Sequence, residues 1–312
     1  MKISMVIPTY NEKDNVFDDY NRVKKIFDNE LKDYEYEMLF IDNFSSDGTR
    51  DKLKILASQD PNVKVILNGK NFGWMRSSFY GLINTTGDCT VLLAADMQEP
   101  PEMMVRFVEE WKKGAKVVVG IKNESKENKL VYFLRNCYYN MINRITEIDH
   151  IKQFMGFGLY DREFINVLRS LDDPMPYFRG MVAELGYGVV QVPYTQERRK
   201  KGKTHFNLFQ VYDLAMLGIT SYSKVVMRFA TMLGFLISFI SIIVAIVTLI
   251  LKLSGAISYP IGIAAISIGV FALGGITLFF IGLLGEYILN INVRVMHRPL
   301  VVEEARINFD KE

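Results

Sequence analysis

Cysteine is scarce in this chain of 312 residues: Cys89 and Cys137 stand apart, with no Cys-x-x-Cys spacing. Neither a disulfide framework nor a cysteine zinc site is indicated. No Gly-x-Gly-x-x-Gly follows the first apolar run and no Gly-Lys-Ser/Thr occurs, which argues against a dinucleotide oxidoreductase and a P-loop NTPase. Charge of one sign is not in excess. Lys and Arg number 37 against 35 Asp and Glu, a net charge of +2 that does not point to nucleic acid as a partner. The opening Met1-Lys-Ile-Ser-Met-Val-Ile-Pro8 turns polar too soon for a signal peptide. Internal repeats and low-complexity tracts are also missing.

Charge is absent altogether from two long stretches, 23 residues from Phe229 to Leu251 and 33 from Leu253 to Gly285, parted by Lys252. About 20 apolar residues cross a bilayer core at a rise of about 1.5 Å each, so each stretch can span once and the pair reads as a membrane hairpin. Arg198, Arg199, Lys200, Lys201, Lys203, Lys224 and Arg228 precede it, and Arg294, His297 and Arg298 follow. The positive-inside rule then places both ends in the cytoplasm and the Lys252 loop outside. The expected location is the inner (cytoplasmic) membrane, multi-pass, with the large N-terminal part cytoplasmic.

Ahead of the hairpin, strand and helix patterns alternate. Ile3 to Ile7 reads as a strand stopped by Pro8, and Val16, Tyr20, Val23, Ile26 and Phe27 have helical spacing within Asn15 to Leu31. Tyr36 to Ile41 is a second strand ending at Asp42, and Asp47-Gly-Thr-Arg50 opens a helix through Ala57. Val63 to Leu67, Thr90 to Leu93 and Val117 to Val119 continue the strands, with helices near Met75 to Ile83 and over Glu102 to Lys113. That rhythm predicts a parallel, right-handed α/β sheet. Beyond Gly120 the pattern loosens. Asn123 to Lys129 is a polar loop, Leu130 to Ile145 an amphipathic helix, and Phe154 to Tyr160 a Gly-rich aromatic stretch. Val189 to Tyr194 is a late strand before the basic loop Glu197 to Phe206, and Leu208 to Val226 an interfacial helix.

The most informative segment is Thr90-Val-Leu-Leu-Ala-Ala-Asp96-Met-Gln98-Glu-Pro-Pro-Glu102. A buried strand ends in an acid, and Pro100-Pro101 then opens a helix. Open α/β sheets place ligands at that edge, where Asp96 beside a Gln98 oxygen suits Mg2+ or Mn2+. Equally, Asp96 or Glu99 could serve the helix N-terminus. Thr9-Tyr-Asn-Glu12 and Asp42-Asn-Phe-Ser-Ser-Asp-Gly48 end strands on the same edge, which suits a nucleotide.

Pro8-Thr-Tyr-Asn-Glu12, Asp42-Asn-Phe-Ser-Ser-Asp-Gly-Thr49 and Ala94-Ala-Asp-Met-Gln-Glu-Pro-Pro-Glu102 resemble the signature segments of the family-2 inverting glycosyltransferases of GT-A, Rossmann-like fold. Phe178-Arg-Gly-Met-Val-Ala183, Val192-Pro-Tyr194, Arg199-Lys-Lys-Gly-Lys-Thr-His-Phe206, Gly218-Ile-Thr-Ser-Tyr-Ser223, Leu284-Gly-Glu-Tyr287 and Arg298-Pro-Leu300 resemble the polyprenyl-phosphate subfamily, which includes bactoprenol glucosyltransferases and dolichol-phosphate mannose synthases. The resemblance runs from about Ile3 to Leu300. It implies a nucleotide-sugar-binding domain over 1–207, an interfacial helix over 208–228, two transmembrane helices within 229–285 (about 229–251 and 260–284) and a cytoplasmic tail over 286–312.

The activity implied is transfer of a sugar, with inversion, from a donor such as UDP-glucose to undecaprenyl or a similar polyprenyl phosphate for the cell envelope. Pro8, Tyr10, Glu12 and Asp42 would hold the nucleotide, and Asp96 and Gln98 a Mg2+ or Mn2+ on the diphosphate. Arg135 and Arg199 would contact phosphates, and the loop through His205 would close over the site. The implied partners are the nucleotide sugar, the lipid phosphate, the membrane and further copies of the chain in a homo-oligomer. Two positions depart from the family: Ala94 stands where it commonly has the first Asp of Asp-x-Asp, and Asn43 where a second acid often follows Asp42. A processive polysaccharide synthase would need Gln-x-x-Arg-Trp, which neither Trp74 nor Trp111 supplies. The alternative from another class is a degenerate transferase serving as a membrane scaffold or a lipid- or nucleotide-binding protein.

Overall fold

The apolar runs of the N-terminal part become β1 (Lys2–Thr9), β2 (Glu35–Asp42), β3 (Val63–Asn68), β4 (Cys89–Leu92) and β5 (Val117–Glu124). Between them lie α1 (Val16–Asn29), α2 (Thr49–Gln59), α3 (Trp74–Ile83) and α4 (Met103–Lys112), close to the ranges expected. Further on come β6 (Gly158–Asp161), α5 (Arg162–Ser170), α6 (Phe178–Glu184), β7 (Val189–Thr195), α7 (Val225–Leu253), α8 (Ile263–Val295) and β8 (Glu303–Ile307). The structure, a computed structural model, describes residues 1–96, 98–124, 146, 148–197, 216–218, 220–223, 225–254 and 263–309. The helix expected over Leu130 to Ile145 and most of that expected over Leu208 to Val226 lie outside the described residues.

One eight-stranded sheet has the order β7-β5-β6-β4-β1-β2-β3-β8. It is mixed rather than parallel, which corrects the expectation. β4, β1, β2 and β3 are mutually parallel, but β6 runs antiparallel between β4 and β5, and β8 antiparallel against β3. Two of the misread segments have physical reasons. The Gly-rich aromatic stretch hides β6 because Gly158 is required for close approach: a Cβ there would sit 2.4 Å from the Val118 carbonyl oxygen. β8, Glu-Glu-Ala-Arg-Ile, is half polar, as a short edge strand permits. The chain after α8 therefore returns to the sheet instead of forming a separate tail.

The central strands are buried on both faces. Met5 and Ile7 of β1 and Leu93 after β4 pack with Val23 and Phe27 of α1, Leu53 of α2 and Phe107 of α4. Val6, Ile41 and Leu92 face the other way, onto Phe79 of α3, Phe164 of α5 and Phe178 of α6. This alternation along each strand gives the sheet two helical layers.

The two long helices differ from this core. Apolar side chains point outward along both, with Phe235 of α7 at 73% exposure and Leu278 of α8 at 71%. By length and composition, Leu273–Val295 is the candidate membrane span among the described residues. The base of α8 is fastened to the chain around 173 and 220–223. Arg294 Nε lies 3.4 Å from an Asp173 carboxylate oxygen, and Tyr287 donates its hydroxyl proton to the Ser223 carbonyl at 2.7 Å.

Candidate active site

Parallel strands place their C-terminal ends on one edge, and β4, β1 and β2 lie side by side there. In register, Thr9 pairs with Asp42 and Val6 with Leu92, so the Tyr10–Glu12 and Asp42–Gly48 turns leave the sheet together and Asp96 follows the end of β4. Of the residues expected to bind nucleotide or metal, the structure thus brings Pro8, Tyr10, Glu12, Asp42, Asp96 and Gln98 to this edge. Arg135, Arg199 and the loop through His205 lie outside the described residues.

The first two turns are tied to each other. Asn11, at a φ of 56°, donates its backbone N–H to Ser45 Oγ at 2.8 Å and accepts from the Ser46 N–H at 3.0 Å. The Glu12 N–H donates to Thr49 Oγ1 at 3.0 Å, and the Lys13 N–H to Asp47 Oδ2 at 3.2 Å. Glu12 also shapes the entry to α1, since its carbonyl accepts from the Asn15 and Val16 N–H groups and its carboxylate from Asn15 Nδ2.

Asp42 is fully buried. Burial pushes its carboxyl above the ordinary carboxylate range, against the pull of the Ser45 hydrogen bonds and the Arg50 charge. Arg50 Nε lies 3.1 Å from Asp42 Oδ2, while Asp42 Oδ1 has no hydrogen-bond partner among the described residues. Arg50 also reaches Glu304 of β8 at 2.9 Å and the Asn68 carbonyl at 3.0 Å, so the returning C-terminal strand braces this corner.

Asn43 is not a weakened acid. Its Oδ1 accepts from the Phe72 N–H at 2.9 Å and from Asn68 Nδ2 at 3.3 Å, and its Nδ2 donates to Asn71 Oδ1 at 2.9 Å. A carboxylate could accept twice but could not donate. The amide therefore shapes the 68–73 turn that leads into α3.

Around Asp96, the acids are arranged in depth. Asp96 Oδ1 accepts from the Gln98 N–H at 3.1 Å, whereas α4 has Glu102 at its N-cap and no side-chain cap bond, so neither Asp96 nor Glu99 caps that helix. The described contacts of Gln98 are with its backbone, whose carbonyl also accepts from the Glu197 N–H at 3.0 Å. Glu99 turns inward to accept from the Ala94 N–H at 2.9 Å, and burial followed by the nearby Asp96 charge raises its carboxyl to about 8. Asp19 on α1 is 1% exposed, and burial, then Glu12 and Asp96, push it up to about 9. In both, burial is the main cause of the rise and disfavours the charged form. Sequence reading missed Asp19, although its place three residues after Val16, on the apolar face of α1, was a legible signal. Among the described residues, no three His, Cys, Asp or Glu side chains converge as a metal site.

The base of the basic loop is anchored beside these acids. Arg22 of α1 bridges Glu102 at 2.8 Å and Glu197 at 3.0 Å, holding the end of β7 against the turn that follows Asp96.

Comparison with known proteins follows the same outline. The profile of the family described as Glycosyl transferase family 2 matches residues 4–171. The bactoprenol glucosyl transferase of Shigella phage SfX is 31% identical over 310 residues, covering 98% of this chain and 100% of that protein. The Bacillus subtilis glycosyltransferase YkcC is 30% identical over 315 residues, covering 100% of this chain and 96% of its own. Among solved structures, mannosyl-3-phosphoglycerate synthase from Rubrobacter xylanophilus matches with a TM-score of 0.49 at 16% identity, over 84% of this chain and 78% of that one.

Proposed function

We propose, from the premise that this chain belongs to glycosyl transferase family 2, that it moves a hexose from a nucleotide sugar such as UDP-glucose to a polyprenyl phosphate. The observation that carries this reading is the meeting of Asp42 and Asp96 on one sheet edge, in a chain with long outward-facing apolar helices. Relatives similar over nearly the full length include bactoprenol glucosyl transferases, which supports a lipid acceptor. In this reading α7 and α8 form the membrane hairpin, with both ends cytoplasmic, and the interfacial segment before α7 lies on the bilayer.

Each residue then has a physical task. The turns at Tyr10–Glu12 and Asp42–Gly48 hold base and ribose, and Asp42 Oδ1, without a hydrogen-bond partner among the described residues, is the acceptor offered to them. Asp96 and Gln98 would hold Mg2+ or Mn2+. The fit is sparse on the protein side, because Ala94 brings no oxygen and Glu99 is engaged with the backbone. One carboxylate suffices where substrate phosphates supply further oxygens, as is common for Mg2+. When bound, the cation offsets charge on the departing diphosphate.

A lipid phosphate is largely ionised near pH 7, its second pKa being about 6, so the acceptor needs little general-base help. That suits a site whose deeper carboxyls, Asp19 and Glu99, are pushed above the ordinary carboxylate range by burial. What remains for the protein is positioning and screening, with Arg199 and Arg135 assigned to phosphates. The test is transfer from radiolabelled UDP- and GDP-sugars to polyprenyl phosphate by membranes containing the protein. Asp96→Asn should stay folded and membrane-bound yet lose about a hundredfold or more of the activity, near 2.7 kcal/mol at ~1.4 kcal/mol per decade. Normal turnover by that variant, or indifference of the parent to chelator, would refute the metal role; no labelled lipid with any donor would refute the function.

A further inference from the structure

On the opposite face of the sheet from Asp19, a groove opens between α3 and α6. Trp74, Phe79, Leu92, Met155 and Phe178 line it. The lining is almost wholly apolar, and Ser78 turns its hydroxyl back to the Trp74 carbonyl at 2.7 Å. Arg179 supplies the charge. It is half-buried and makes no hydrogen bond or ion pair with any described residue.

Two placements give the groove meaning. Leu92 ends β4 four residues before Asp96, a chain reach of at most about 14 Å, so the groove begins close to the catalytic edge. At its other side, Tyr177 packs on Tyr222 with ring centroids 5.9 Å apart, and a Cβ on Gly180 would meet Tyr222 at 2.5 Å. Tyr222 belongs to the chain that leads into α7, and Tyr287 of α8 bonds its neighbour Ser223. The groove thus lies between the sheet edge and the helices that the preceding section assigns to the bilayer.

We propose that this groove seats the first isoprene units of the acceptor and that Arg179 grips its monophosphate. The inference rests on the lipid-phosphate reading above. Branched, unsaturated chains suit a lining of aromatic rings and adaptable methionine. A monophosphate ester carries about −1.5 to −2 charges at pH 7, and an Arg fork can hold two of its oxygens. A phosphodiester headgroup offers less charge and no branched chain. Isoprenoid monophosphate is therefore the committed occupant.

The test uses the purified full-length protein in detergent and a photoreactive farnesyl monophosphate. Crosslinks are expected at Trp74, Met155 or Phe178. Arg179→Gln should weaken probe binding about tenfold or more, the scale of one charged contact of ~1.4 kcal/mol or above. Met155→Trp, at a position 45% exposed, should block the groove mouth without disturbing the fold. Unlabelled farnesyl monophosphate should compete, while inorganic phosphate, farnesol and phosphatidylglycerol vesicles should compete far less. Crosslinks elsewhere, full binding by both variants, or equal competition by phosphatidylglycerol would overturn the assignment. Donor binding is measured in the same samples. If the parent transfers sugar yet fails these tests, the groove assignment falls and the function stands; if probe binding follows Arg179 but no sugar is transferred with any donor, the groove stands and the function falls.

Discussion

Asn43→Asp restores an acid beside Asp42, and the structure predicts that it harms the protein. The orientation of the Asn43 amide follows from its neighbours: Oδ1 must face the Phe72 N–H, so Nδ2 faces Asn71 Oδ1. Asn71 cannot flip to compensate without cost, because the same Oδ1 accepts from the Gly73 N–H at 2.9 Å. The substitution removes one hydrogen bond, about 1 kcal/mol, and sets a carboxylate oxygen against a carbonyl oxygen. It also places the new charge at a site 5% exposed, next to the fully buried Asp42, for roughly a further 1–3 kcal/mol. The total is about 2–4 kcal/mol, an order of magnitude or more in the folding equilibrium. Urea titration of the detergent-solubilised protein, followed by Trp fluorescence, measures it. Trp74 directly after this turn is a local reporter. A second signature is pH: the buried new carboxyl has a raised pKa, so its penalty grows as pH rises above about 4 and fades in acid, where the protonated group can donate again. Equal stability of Asn43→Asp and the parent at pH 7.5, within about 0.5 kcal/mol, would refute the reasoning.

Asp19 gives a related test of sign. Its folded pKa of about 9 exceeds the ordinary 3.8, so the unfolded chain releases the proton first and stability falls as pH rises from about 4 to about 9. Asp19→Asn should therefore lose stability less steeply over that window, by up to ~1.4 kcal/mol per pH unit, and parallel melting curves would count against the buried protonated carboxyl. At the C-terminal brace, Glu304→Gln removes a contact at the rim and should cost under about 1 kcal/mol, whereas Arg50→Ala leaves Asp42 buried and unpaired at about 3 kcal/mol or more. Comparable losses for the two variants would sink that ranking. For topology, Ser254→Cys should react with an impermeant thiol reagent in intact cells or spheroplasts, and protection there would reverse the proposed orientation.

The alternation of apolar runs with helical spacing determined β1 to β5 and α1 to α4, because strand and helix periods are local properties of the chain. It also determined which acids end strands, and so the common edge of Asp42 and Asp96. What the sequence could not convey is non-local. β6 becomes a strand because Gly158 lets it approach the Val118 carbonyl, and β8 because β3 offers a free edge. Both pairings depend on partners distant in the chain, so their short polar or Gly-rich segments carry little signal of their own. The meanings of individual side chains shifted for the same reason. Asn43 looks like a weakened acid until Phe72 and Asn71 are found around it, and Glu99 like a spare ligand until it is found turned inward onto the Ala94 N–H. Composition names the groups available at a site, but only packing decides which are buried, which keep their protons and which are left to meet a ligand.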